Sequence, residues 1–138
     1  MNLEPQWIVG FVDGEGCFHV SVNKHPEMTI GYQVLPEFVV VQHERDEQVL
    51  NGLKKYFGCG VVRSNHGDRL CYRVREKKNL SDVIIPFFMK HQLKTRKRQE
   101  FESFRKIIHL MNNNQHLTVE GLESIRKISK GMNRGRLR

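Results

Sequence analysis

Apolar positions recur along the chain with two different periods. Residues 5–16 place Ile8, Val9, Phe11 and Val12 behind Pro5, which suits a first helical turn, with Glu4 near the positive end of the dipole. Gly14 and Gly16 mark the end of that helix. Residues 17–24 then alternate, with Phe18, Val20 and Val22 on one face and His19, Ser21 and Asn23 on the other, as in a half-buried strand. His25-Pro26 and Gly31 bracket a loop before a second strand over about 33–42, where Pro36 predicts an irregular or edge position. Helical spacing returns at Val49, Leu50, Leu53 and Phe57, with Asp46 as the candidate cap and Gly58 and Gly60 as stops.

A hairpin follows, with arms at 61–64 and 69–75 around a turn at 65–68; Leu70, Tyr72 and Val74 oppose Arg69, Cys71, Arg73 and Arg75. From Asn79 a short apolar helix leads to a basic one, roughly 94–111, whose stripe is Phe101, Phe104, Ile107, Ile108 and Met111. A linker at 112–115 and a short helix over 118–128, capped by Thr118, precede a basic tail. The order α-β-β-α-β-β-α-α predicts an α+β domain in which helices cover one face of an antiparallel four-stranded sheet. Its length, 138 residues, predicts a single domain over 1–138, with a core at about 1–111 and a C-terminal helix and tail at about 112–138.

Composition narrows the partners. Only 38% of residues are apolar, so the core is small and burial against a second copy is a natural remedy. Lys and Arg number 23 against 15 acids, a net charge of +8, which favours a polyanion, nucleic acid being the commonest. No apolar stretch approaches the roughly 20 residues of a membrane span, and the first residues, MNLEPQW, lack signal-peptide order, so no membrane partner is expected. Cys17, Cys59 and Cys71 are odd in number and never form C-x-x-C, which argues against a disulfide framework or zinc ribbon and for a reducing, intracellular compartment.

An antiparallel sheet with one covered face leaves the other for solvent or ligand. The open face is expected to carry His19, Ser21, Asn23, Gln33, Arg63, Asn65, Arg69, Arg73 and Arg75, with carboxylates almost missing. Guanidinium and amide groups on strands suit base edges in the major groove of double-stranded DNA, whereas a single polar strand is more often only a wet surface. Leu35, Val39 and Val41 break this polar pattern on the second strand. Residues 90–106 hold seven cations against Glu100 and Glu102, which alone says little. Residues 126–138 add six cations and no acids, as in a phosphate-contacting or disordered arm.

The opening helix carries two oddities. Gly10 and Gly14 stand four apart, at roughly 1 kcal/mol each against alanine. That cost suits a helix whose backbone meets the same helix of a second subunit, with Gly10, Phe11, Asp13 and Gly14 at the interface; the plain alternative is a turn glycine at Gly14 and a chance Gly10. Asp13 and Glu15 oppose the macrodipole at the helix end, by roughly 0.3–1 kcal/mol each. A divalent cation such as Mg²⁺ relieves this, although an isolated D-x-E is more often solvated or capping local backbone.

The segment IVGFVDGEG at 8–16 resembles the signature of LAGLIDADG homing endonucleases, in the variant ending D-G-E-G and followed by a strand. LKTRK at 93–97 resembles the family's second landmark, and HLTVEGLE at 116–123 with MNRGR at 132–136 its C-terminal end. The resemblance implies a saddle-shaped sheet in the major groove and, with one signature copy, a homodimer acting on a near-palindromic target. It implies metal binding by Glu15 and the Gly14 carbonyl, a structural Asp13 at the helix end, and Gln42 as the glutamine that orders solvent at the metals. Lys97 is matched to the family's lysine at the start of the basic helix, with Lys94, Arg96 and Arg98 as neighbouring alternatives. Glu15, Gln42 and Lys97 are therefore the candidate catalytic residues. The implied activity is Mg²⁺-dependent hydrolysis of DNA, with Mn²⁺ substituting, one cut per strand and short 3′ overhangs. The implied home is an intron, and the implied location is beside the target DNA, in a bacterial cytoplasm or an organelle. An RNA maturase that binds intron RNA, or a nuclease-dead DNA-binding protein of the same fold, is the alternative.

Overall fold

The computed structural model describes residues 1–132. Helix α1 (Pro5–Glu15) leads directly into β1 (Gly16–Lys24), which pairs antiparallel with β2 (Tyr32–His43). A 3₁₀ turn (Glu44–Asp46) precedes α2 (Glu47–Phe57), and the hairpin β3 (Val61–His66) and β4 (Arg69–Val74) follows. The sheet order is β1-β2-β4-β3, all antiparallel, because β4 returns to pair with β2. Pro36 lies in the central strand β2, not at a sheet edge, on the stretch beside β1 that β4 does not reach, so its missing N–H breaks no bond on that side.

The helical stretch after β4 begins earlier than its apolar pattern indicates: α3 (Lys77–Asn79), a π-helical turn (Leu80–Ile84) and α4 (Ile85–Lys90). The basic helix α5 spans Lys97–Asn112, and α6 spans Val119–Gly131 with Thr118 accepting from the Gly121 N–H at 3.0 Å. Asp46 occupies the cap position of α2 without a side-chain bond, and the turn before it is held instead by His43 Nδ1 accepting from Arg45 N. That helix ends at Gly58, whose φ of 71° favours glycine.

Inward-facing strand residues meet the helices on one face of the sheet. Phe18 sits at the centre, with the rings of Phe38, Phe88, Phe101 and Phe104 at 5.1–5.6 Å. Leu50, Leu53, Ile84, Ile107, Leu122 and Ile125 complete the same buried cluster, so α6 is part of the core rather than an appendage. Arg126 belongs to α6, where it stacks on the Tyr32 ring at 4.4 Å and pairs with Glu123 at 3.4 Å. It is committed within the chain and is not the start of a phosphate-binding arm; residues 133–138, with Arg134, Arg136 and Arg138, lie outside the described residues. Among the described residues, no helix is long and apolar enough to cross a membrane.

Candidate functional site

The register converts the alternation of the strands into rows across the open face. One row is Cys17, Val39, Arg73 and Val61; the next is Val41, Cys71 and Arg63. Polar rows flank them: His19 beside Glu37, Asn23 beside Gln33, and His43, Arg69 and His66 at the far end. The face therefore has a partly apolar middle, with cations and amides around it. Burial pushes the Cys71 thiol up despite nearby Arg73 and Arg63, which makes it a neutral filler rather than a nucleophile.

Three expectations for this face change. The hairpin turn is shorter than 65–68: β3 runs on to His66, and the shift between Ser64 and His66 leaves Asn65 without a register partner. His66, opposite Arg69, takes the position assigned to Asn65, and no local sequence signal marks such a bulge. Arg75 lies one residue past β4, and its Nε donates to Glu37 Oε2 at 2.9 Å. Glu37 itself is an acid on a face expected to have almost none; it is in phase with Leu35 and Val39, so the period-two pattern already marked it. His19, Ser21, Asn23, Gln33, Arg63, Arg69 and Arg73 sit on the open face as expected, Asn23 donating to Ser21 at 3.2 Å.

At the end of α1 the two acids behave differently. Asp13 Oδ2 accepts from Lys94 N at 2.8 Å, while Oδ1 accepts from Thr95 N at 3.2 Å and Thr95 Oγ1 at 2.8 Å. These bonds take residues 94–96 out of the basic helix, which starts at Lys97 rather than 94, and fix α1 to its entry. Lys97 is half-buried, and its Nζ donates to the carbonyl of Gly16, one residue from Glu15; Lys94, Arg96 and Arg98 are exposed. Gly16 is itself constrained, because a Cβ there would meet the Val12 side chain at 2.7 Å, so the helix-to-strand step needs glycine. Gln42 faces the helix side of the sheet, opposite Leu70, two residues past the Val40 that pairs with Gly16, and so lies beside the same junction.

Glu15 is exposed, and among the described residues no hydrogen bond or ion pair reaches its carboxylate. The Gly14 carbonyl beside it lies past the last intrahelical bond of α1, which runs from the Gly16 N–H to Val12 O. Carboxylate and carbonyl are hard oxygen donors that fit Mg²⁺. Among the described residues no cluster of three or more His, Cys, Asp or Glu side chains that could hold a metal accompanies them.

The outward stripe of α1 is Trp7, Gly10, Phe11 and Gly14. Trp7 is 45% exposed and stacks on Phe11 at 4.8 Å. A Cβ on Gly10 or Gly14 would meet nothing within 4 Å, so nothing inside the described chain requires glycine at either place.

A family model described as LAGLIDADG endonuclease matches residues 8–108. The chain is similar to a probable intron-encoded endonuclease 2 of Neurospora crassa, at 36% identity over 136 residues, 97% of this chain and 30% of that protein. Among solved structures it is similar to the homing endonuclease I-TnaI, at 54% identity and a TM-score of 0.94, over 99% of this chain and 92% of that one. It is also similar to the LAGLIDADG homing endonuclease I-SmaMI bound to cleaved DNA, at 36% identity and a TM-score of 0.93, over 97% of this chain and 45% of that one. The chain spans about 26–33% of the length of the curated fungal relatives it matches over more than 130 residues.

Proposed function

The chain belongs to the LAGLIDADG endonuclease family, and from that premise we propose that it is a site-specific, intron-encoded homing endonuclease. In this reading residues 1–138 act as one domain, a homodimer makes a double-strand break in a near-palindromic DNA target, and the enzyme works where that DNA is, in a bacterial cytoplasm or an organelle. The observation that carries the reading is the unpartnered Glu15 carboxylate at the foot of a glycine-lined, outward helix stripe, on the junction between α1 and the DNA-facing sheet.

Pairing of two α1 helices along Gly10, Phe11, Asp13 and Gly14 would bring the Glu15 carboxylates of both copies to the centre of the target. Glu15 and the Gly14 carbonyl would hold Mg²⁺, with Mn²⁺ able to replace it; the bound cation supplies charge for the scissile phosphate and lowers the pKa of a water. The Lys97 ammonium, held beside Gly16, offsets negative charge developing on the phosphate. The Gln42 amide orients solvent from the end of β2. None of these groups is a strong base, so the proton leaves through solvent. The open face fixes register on the duplex through Arg63, Arg69 and Arg73.

A plasmid carrying the joined sequences that flank the open reading frame tests this. Mg²⁺ should linearise it, and Glu15→Gln should bind the same DNA with Ca²⁺ present but never cut it. Absence of linearisation by the unaltered chain, combined with tight binding of the intron RNA, would overturn the reading in favour of a maturase.

A further inference from the structure

We propose that Glu37 is a positioning residue for base recognition: it holds Arg75 so that the guanidinium reads a guanine in the major groove. The inference rests on the DNA-cleaving function proposed above. His19 and Glu37 are register partners, and Phe38 opposite Val74 puts Arg75 next to Glu37, so three residues form one row across the open face. Glu37 Oε2 accepts from Arg75 Nε at 2.9 Å, and its Oε1 lies 3.8 Å from His19 Nδ1. The Glu37 side chain is 21% exposed and that of Arg75 55%, so the acid is the floor on which the guanidinium rests.

Two physical points favour positioning over incidental pairing. A carboxylate on a face that meets phosphates weakens binding to every DNA sequence, and an exposed ion pair adds little to stability. Its effect on its neighbours is what remains. Because the bond to Glu37 uses Nε, the Nη1 and Nη2 amino groups stay free of any other acceptor among the described residues. A fork of two donors in fixed orientation is what bidentate recognition of guanine O6 and N7 requires, and an unanchored arginine gives up that orientation for the nearest phosphate. Arg73, which has no ion-pair partner among the described residues, lacks such an anchor.

The full chain, with Glu37→Gln and Arg75→Ala variants, is assayed by competition against duplexes with every base at each half-site position. Glu37→Gln should lower discrimination for guanine by about tenfold at one position per half-site, the position that Arg75→Ala also loses. The same variant should bind random-sequence DNA about threefold more tightly, since one negative charge is gone. Thermal unfolding should stay near that of the unaltered chain, as for any exposed ion pair, so the loss of discrimination cannot be assigned to a weakened fold. Discrimination within about twofold of normal at every position would overturn the inference. So would a loss confined to a position that Arg75→Ala leaves intact, because Glu37 would then read its base directly. An unaltered chain that binds no DNA would sink the endonuclease reading itself, a failure visible before any variant is compared.

Discussion

Gly10 offers a test in which two environments predict opposite signs. A glycine inside an exposed helix costs about 1 kcal/mol against alanine, and a Cβ at Gly10 meets nothing within 4 Å. If α1 faces water, Gly10→Ala stabilises the chain by about 1 kcal/mol and leaves its other properties alone. If two α1 backbones touch along Trp7, Gly10, Phe11 and Gly14, a larger side chain forces them apart. Overpacking costs about 1–3 kcal/mol per site, and a two-fold axis repeats the clash. Gly10→Leu therefore weakens association by about 2–6 kcal/mol, from roughly thirtyfold to four orders of magnitude in Kd. Sedimentation across a dilution series gives that constant directly. Denaturant unfolding adds a check, since a folded dimer has a midpoint that rises with protein concentration. A Gly10→Leu protein that stays dimeric at the same dilution, cuts DNA at the normal rate and unfolds later would refute close helix packing.

Two other side chains give sharp expectations. Asp13→Ala removes three hydrogen bonds from a charged acceptor and should destabilise the fold by about 2–3 kcal/mol in urea, with cleavage falling further than DNA binding because Lys97 loses its support; unchanged stability would show those bonds to be idle. Arg73→Ala, which removes an arginine with no anchoring acid among the described residues, should weaken binding about uniformly on all sequences and lower the salt slope by about one, read by competition binding, whereas a loss of base preference at one position per half-site would make Arg73 a base contact.

The two hydropathy periods were enough to find every major element, because strands with one covered face and amphipathic helices leave strong signals. What they could not supply was register and long-range partnership. The bulge that moves His66 opposite Arg69 leaves no local mark, and neither does the π-helical turn at Leu80–Ile84. Residues 94–96 have the composition of the helix that follows, and the distant Asp13 carboxylate, together with Thr95 Oγ1 accepting from Lys97 N at 3.3 Å, holds them outside it. Glu37 is legible in the period-two phase of β2, in step with Leu35 and Val39, but alternation of apolar and polar positions does not tell an acid from the cations around it.

The two acids at the end of α1 show where the information in one chain stops. Both oppose the helix macrodipole, so each needs a compensating positive group or hydrogen-bond donor. Asp13 finds three donors 81 and 82 residues away, and its placement is satisfied within the chain. Glu15, two residues on, has none among the described residues, although Lys97 lies one residue beyond, bonded to the Gly16 carbonyl. A second copy placed across the Gly10–Gly14 stripe makes the imbalance worse, because it brings up another Glu15. On the proposed reading that compensation would come from a divalent cation held by Glu15 and the Gly14 carbonyl, whose charge exceeds that of one carboxylate, so that a partner carboxylate or a phosphate of the duplex would complete its neutralisation. In that reading the same electrostatics that leave Glu15 without a compensating group among the described residues would tie cutting to an assembly on DNA.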